Sequence, residues 1–287
     1  MKIAWLGLGL MGSRMVTHLT RFHDVHVYNR SASKSEPFRE SATVHNSIAS
    51  CVKDANVVIM MLSTPDVVKS VFTTEVLPHV NADTIIIDMS TNLPSLTTTL
   101  YEQAKAAQLH WVDAPVSGGL GGAAQATLSI MVGGDQEIVK RLMPLLELMG
   151  SKVKYCGPSG NGQHTKMANQ ISVATNLAGL LEAMEYAKHV HLNMEDVLVL
   201  INQGAASSWQ TIHNGPLYLS DDMNPGFILS HFLKDLRCVM HEANQRQLHL
   251  PVVEKITSMV ESIINDHNET LSTLALVEYY RCHNPIR

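Results

Sequence analysis

Lys166, Asn169 and Gln170 stand at i, i+3 and i+4 in a stretch of helical periodicity, so an amine and two amides share one face. An amine in that setting can give a proton to an alkoxide forming on a carbonyl carbon. It does so best where burial lowers its pKa towards neutrality. The two amides could orient a small polar substrate and hold the amine. A solitary helical lysine is more often a solvated side chain. Here, however, Gly160 and Gly162 precede it in "GPSGNGQHTKMANQ" (157–170), and its face carries two amides where the helical half is expected to meet a nucleotide crevice.

A second group of residues opens the chain, in "KIAWLGLGLMGSRM" (2–15). Lys2 and the apolar run after it imitate a secretion signal, but Arg14, His18 and Arg21 interrupt the residues beyond that run and no small-residue cleavage site appears. Gly7-Leu8-Gly9-Leu10-Met11-Gly12 is instead a complete GxGxxG, between a short apolar strand (3–6) and the helical spacing of Met11, Met15 and Leu19. In that context the first glycine permits the tight turn and the second lets backbone approach a pyrophosphate. The third allows close helix–strand packing, and the helix N-terminus presents free N–H groups to the phosphates. The segment predicts a dinucleotide site.

The next strand, "VHVYNR" (25–30), bears on which dinucleotide. An NAD site usually places Asp or Glu there for the adenine-ribose hydroxyls. This chain has Asn29 and Arg30, then Ser31 and Lys34. A carboxylate would repel a 2′-phosphate, whereas a guanidinium grips one in a planar contact and Lys34 adds charge from the following turn. The alternative reading makes both cations solvated loop residues. The pattern favours NADP(H), with NAD(H) possible.

These groups require a scaffold. "NVVIMML" (56–62), "TIIIDMS" (84–90) and "LHWVDAPV" (109–116) are apolar runs of strand length with amphipathic segments between them, such as "SLTTTLYEQAKAAQ" (95–108). Runs buried on both faces and alternating with helices predict a parallel, doubly wound sheet. Two later strands (128–134 and 152–157) flank a helix at 136–150, and from about residue 160 the strand signal stops in favour of one long helix and several shorter ones. The predicted organisation is an α/β Rossmann-type domain at 1–160 and an all-α domain at 161–287 for substrate binding and oligomerisation. Ligands of such sheets lie at the carboxyl ends of the strands, where small, hydroxyl-bearing and glycine residues concentrate: "MLSTPD" (61–66), "DMST" (88–91) and "DAPVSGG" (113–119).

Bulk properties exclude several classes. The 287 residues, 45% hydrophobic and 16% charged, suffice for two globular domains. A net charge of −5 argues against nucleic acid or an anionic membrane as partner. No apolar run approaches the roughly 20 residues of a membrane span. Four dispersed cysteines without a CxxC pair fit a reducing compartment, and the expected location is cytoplasmic. The 15 histidines include no helical i, i+4 pair with a carboxylate beside it, so no metal is expected.

Taken together, the GLGLMG turn, Asn29-Arg30-Ser31, Asp88-Met89-Ser90-Thr91, Asp113 to Gly119, the Lys166 helix and Lys234-Asp235 resemble the β-hydroxyacid dehydrogenases over nearly the whole chain. That group contains 3-hydroxyisobutyrate dehydrogenase, tartronate semialdehyde reductase and the glyoxylate/succinic semialdehyde reductases. The resemblance implies that Lys166 is the catalytic acid/base and that Ser117, Gly118 and Gly119 hold a substrate carboxylate. It also implies that Leu62, Ser63, Thr91 and Lys234 contact the cofactor, and that the chain forms a homodimer or homotetramer. Many members carry Asn where this chain has Gln170, which leaves the choice among small semialdehyde, 2-oxo acid and hydroxy acid substrates open. Two alternatives share the architecture: an imine reductase, and a catalytically silent NADP-binding relative. Both groups commonly lack the lysine retained here. Trp209 reads equally as a lid over a small substrate or as a core or interface residue.

Overall fold

Successive residues of the central strands point to opposite faces of the sheet, and in this chain both sets are apolar. Ile3 and Trp5 of the first strand join Val57, Ile59, Ile85 and Ile87 in one buried layer, while Ala4 and Leu6 join Val58, Met60 and Ile86 in the other. Side chains buried on both faces demand helices on both sides, which is the doubly wound arrangement. The computed structural model describes residues 1–223, 226–264 and 270–284. It divides into two units, Met1–Lys166 and Met167–Arg287.

The first unit is built on nine strands: β1 (Lys2–Leu6), β2 (Asp24–Tyr28), β3 (Thr43–Val44), β4 (Val57–Met60), β5 (Ile85–Asp88), β6 (His110–Asp113), β7 (Val116–Ser117), β8 (Ser129–Gly134) and β9 (Lys152–Gly157). Their order is β3-β2-β1-β4-β5-β6-β8-β7, with β9 paired to β8. The first six run parallel, in register Leu6 with Tyr28 and Met60, and Met60 with Asp88, which aligns their carboxyl ends. The sheet is therefore Rossmann-type and parallel-dominated. Its helices are α1 (Gly12–Val16), α2 (Ile48–Val52), α3 (Pro65–Ser70), α4 (Pro94–Ala106), α5 (Gly119–Gln125) and α6 (Gln136–Leu146).

Two local expectations need correction, and one strand was not expected. The run at 109–116 is two strands, because Pro115 breaks the ladder, and β8 returns antiparallel to both β6 and β7. The short β3 has no apolar run to announce it. After Val16 the glycine-turn helix tightens into i→i+3 turns, and the hydroxyls of Thr17 and Thr20 bond the carbonyls of Arg14 and Thr17.

Helix α7 (Asn161–His189) starts in the first unit and continues through the second, followed by α8 (Met194–Gln203), α9 (Trp209–Leu219), α10 (Leu229–Gln245), α11 (Pro251–Ile263) and α12 (Val277–His283). Side-chain caps fix two starts: Asn193 accepts the N–H groups of Glu195 and Asp196, and Ser208 forms a reciprocal capping box with Thr211. The buried carboxylate of Glu185 on α7 accepts from the Tyr218 hydroxyl at 2.8 Å and faces Arg281, which also pairs with Glu278 and Asp221. That set joins α7, α9 and α12 within the helical unit.

Candidate functional site

The glycine turn is shaped by what surrounds it. Gly7 has φ +104°, and a Cβ there would lie 2.2 Å from the Met61 carbonyl oxygen. A Cβ on Gly12 would lie 2.2 Å from the Gly7 carbonyl oxygen, so the third glycine lets α1 pack on the turn. Gly9 has no atom within 4 Å of its Cβ position. Among the described residues, no acceptor takes the N–H groups of Gly9, Leu10 or Met11. Open space lined by unpaired N–H groups is what a pyrophosphate needs.

Asn29 shapes this turn from the side. Its Oδ1 accepts the Leu8 N–H at 2.9 Å and its Nδ2 donates to the Ser31 carbonyl at 3.0 Å. The side chain thus ties the glycine turn to the loop after β2. Arg30, Ser31 and Lys34 are exposed on that loop. Nearby Arg39 is committed to Glu36, whereas neither Arg30 nor Lys34 enters an ion pair among the described residues. Two uncommitted cations at the end of β2 are compatible with a phosphate-bearing ribose.

At the ends of β4, β5 and β6 the polar groups are buried and bonded to one another. Ser90 Oγ accepts the Leu62 N–H at 2.9 Å. Asp88 accepts from the Ser90 N–H and from Asn92 Nδ2, both at 3.0 Å. Burial pushes its carboxyl from the ordinary 3.8 up to about 6, against the opposing pull of those bonds. Asp113, fully buried at the end of β6, accepts the Gly160 and Gln163 N–H groups at 2.8 and 2.9 Å. It fills the place of a capping carboxylate for α7. Desolvation also raises its pKa, and the same N–H bonds oppose the rise. Close packing there needs two glycines, since a Cβ on Gly133 or Gly162 would lie within 2.8 Å of the Asp113 carboxylate.

Helix α7 then delivers the lysine. Lys166 is 5% exposed, and its Nζ donates to the Val116 carbonyl at 2.9 Å. Val116 is followed directly by Ser117, Gly118 (φ +135°) and Gly119 (φ +62°), where α5 begins. The amine is therefore held at the backbone that leads directly into Ser117 and two glycines. Ser63 lies exposed and Thr91 half-buried on the neighbouring strand ends.

In the helical unit a second polar group forms. Gln170 Nε2 donates to Asp235 at 2.7 Å, Asn169 Nδ2 donates to Gln170 Oε1 at 2.9 Å, and Lys234 pairs with Asp235 at 3.0 Å. Asp235 is buried, and its partners fix which way each amide points. Trp209 is 56% exposed and stacked on His213, so it is not a core residue.

Sequence reasoning assigned no role to Gln163, Asn92, Asp88 or Asp113. A signal for the two aspartates did exist, because each ends a strand directly after apolar residues buried on both faces, Ile85 to Ile87 in β5 and Trp111 and Val112 in β6. Gln163 is announced only by its i, i+3 spacing from Lys166.

Residues 2–157 match the family described as the NAD-binding domain of 6-phosphogluconate dehydrogenase. Residues 160–280 match the family described as NAD-binding of NADP-dependent 3-hydroxyisobutyrate dehydrogenase. The chain is 36% identical to a probable 3-hydroxyisobutyrate dehydrogenase-like protein of Arabidopsis thaliana, covering 96% of this chain and 84% of that one. It is 31% identical to the 2-hydroxy-3-oxopropionate reductase of Escherichia coli, covering 97% and 96%. The structure of a Mycobacterium tuberculosis 3-hydroxyisobutyrate dehydrogenase with L-serine superimposes with a TM-score of 0.90 at 30% identity, covering 98% of this chain and 99% of that one.

Proposed function

The chain belongs to the β-hydroxyacid dehydrogenase family, an oxidoreductase group using a nicotinamide dinucleotide, and we propose that it is an NADP(H)-dependent member interconverting a short semialdehyde or 2-oxo acid with its hydroxy acid. The observation that carries this reading is the buried amine of Lys166 at the Val116 carbonyl, one residue from Ser117.

The glycine turn from Gly7 to Gly12 would hold the pyrophosphate, with Leu62, Ser63 and Thr91 against the rest of the dinucleotide and Lys234 as a further contact. Arg30 and Lys34 would take the 2′-phosphate, and Asn29 keeps the turn in shape for it. When bound, the nicotinamide supplies or accepts the hydride. The Ser117 hydroxyl and the N–H groups of Gly118 and Gly119 grip the substrate carboxylate. That fixes the carbonyl carbon in orientation, a contribution on the scale of the bimolecular entropy saved. In reduction, Lys166 as ammonium gives its proton to the developing alkoxide; in oxidation the amine takes the hydroxyl proton. Such acid–base assistance is worth roughly 10²–10⁴-fold. Asn169 and Gln170 orient the substrate. Residues 1–160 are assigned to the cofactor and 161–287 to substrate and to assembly as a homodimer or homotetramer, in the cytoplasm.

The test is NADPH oxidation against succinic semialdehyde, glyoxylate, methylmalonate semialdehyde, tartronate semialdehyde and a cyclic imine. Turnover of at least one of the four aldehyde acids is expected. Tight NADPH binding with no turnover, or turnover of the imine alone, would overturn the reading. The panel is needed because one methylene in a pocket changes selectivity by only about 1–3 kcal/mol.

A further inference from the structure

Gln163 lies one turn before Lys166 on α7 and is completely buried. Its side-chain amide spans a strand end more than 70 residues away: Oε1 accepts the Asn92 N–H at 3.0 Å, and Nε2 donates to the Ser90 carbonyl at 2.8 Å. Ser90 and Asn92 are themselves fixed by the Asp88 carboxylate, and Ser90 Oγ holds the Leu62 N–H at the end of β4. One side chain thereby connects the lysine helix to two neighbouring strand ends.

We propose that Gln163 is a positioning residue for the proton-transfer step, setting the rotation of α7 about its own axis and with it the place of the Lys166 amine. The inference rests on Lys166 being the acid/base. Asp113 grips the backbone N–H groups of Gly160 and Gln163 at the very start of the helix. Bonds to the backbone, close to the axis, hold the end of a helix in place but resist its rotation weakly. An anchored side chain farther from the axis resists rotation well. A lysine tip roughly 6 Å off the axis moves about 1.5 Å when the helix turns by about 15°. A displacement of about 1 Å at a reacting group can lower a rate by about 100-fold. Both bonds of Gln163 go to main-chain groups, so the anchor does not depend on another side chain's rotamer.

The experiment uses the full chain, NADPH and whichever aldehyde of the panel turns over fastest. Gln163→Met keeps length and removes the amide. It should lower kcat about 10–100-fold while leaving KM and NADPH affinity, read by nucleotide fluorescence, within about threefold. Gln163→Glu keeps the acceptor for the Asn92 N–H and can donate to the Ser90 carbonyl only when protonated, so its kcat should approach the native value at low pH and fall to that of Gln163→Met or below as pH rises. Introduced into Lys166→Ala, Gln163→Met should bring less than about a twofold further loss, because the group it positions is gone. The proposal is overturned by an unchanged kcat in both variants, by an equal loss with and without Lys166, or by loss of NADPH binding in both. A Lys166→Ala protein with full turnover would remove the acid/base reading itself. An inactive Lys166→Ala beside a normal Gln163→Met removes only this proposal.

Discussion

The two ends of the parallel sheet offer opposite settings to the same residue types. At the amino ends lies a cavity of about 520 Å³, lined by Asp54, Asn56, Asn81 and Asp83 among others. Both aspartates there are exposed to water. At the carboxyl ends Asp88 and Asp113 are fully buried and bonded to backbone N–H groups. The amino-end concavity is therefore the less organised setting for a carboxylate. Water solvates a carboxylate equally well in many orientations, whereas a buried carboxylate must find fixed donors, and the donors are fixed along with it. Lys166, the proposed acid/base, sits at the end where polar groups are held in this way.

Replacing the buried carboxylate should break that contrast most severely. Asp113→Ala leaves the Gly160 and Gln163 N–H groups without an acceptor. At about 1–3 kcal/mol for each orphaned group, a loss of about 2–6 kcal/mol is expected in denaturant unfolding. Titration of Asp88 probes the same end. Its carboxyl is raised to about 6, so between about pH 4 and 6 the native protein keeps a proton that the unfolded chain has released. Stability is consequently greatest below that window and falls as pH rises through it, by up to about 3 kcal/mol. Asp113 acts in the same direction. The expected result in Asp88→Asn is a visibly shallower decline across the window, and an unaltered slope would remove Asp88 as its source.

Smaller effects are expected at the periphery. Arg30→Asp should weaken NADPH by about 10–100-fold and NADH by less than about threefold, the size of one or two charge-assisted bonds. Equal weakening of both nucleotides would remove the 2′-phosphate assignment. At the opposite end of the sheet, Asp54→Asn keeps the acceptor for Asn81 and tolerates φ +57°, so it should change stability by less than about 0.5 kcal/mol. A larger loss would show that the amino ends are as organised as the carboxyl ends.

Much of this architecture is legible in the residues alone. Strands such as Val57–Met60 and Ile85–Asp88 announce themselves because they are apolar on both faces, and GxGxxG because each glycine answers a separate steric demand. What escapes a linear reading are the pairings between distant segments. Asn29 reads as a cofactor contact, and no local pattern signals that its amide also holds Leu8. Gln163 is one polar residue on a polar helix face until Ser90 and Asn92 are brought beside it. The antiparallel return of β8 leaves no mark in the run at 109–116, where Ala114 and Pro115 separate β6 from β7.

The proposed chemistry turns on one amine, that of Lys166 at the carboxyl end of the sheet, carrying the proton. Single-turnover oxidation of bound NADPH by Lys166→Ala tests it most directly. Nucleotide affinity should stay within about threefold while hydride transfer slows by roughly 10²–10⁴-fold. Transfer at the native rate in a variant that lacks the amine would contradict the account.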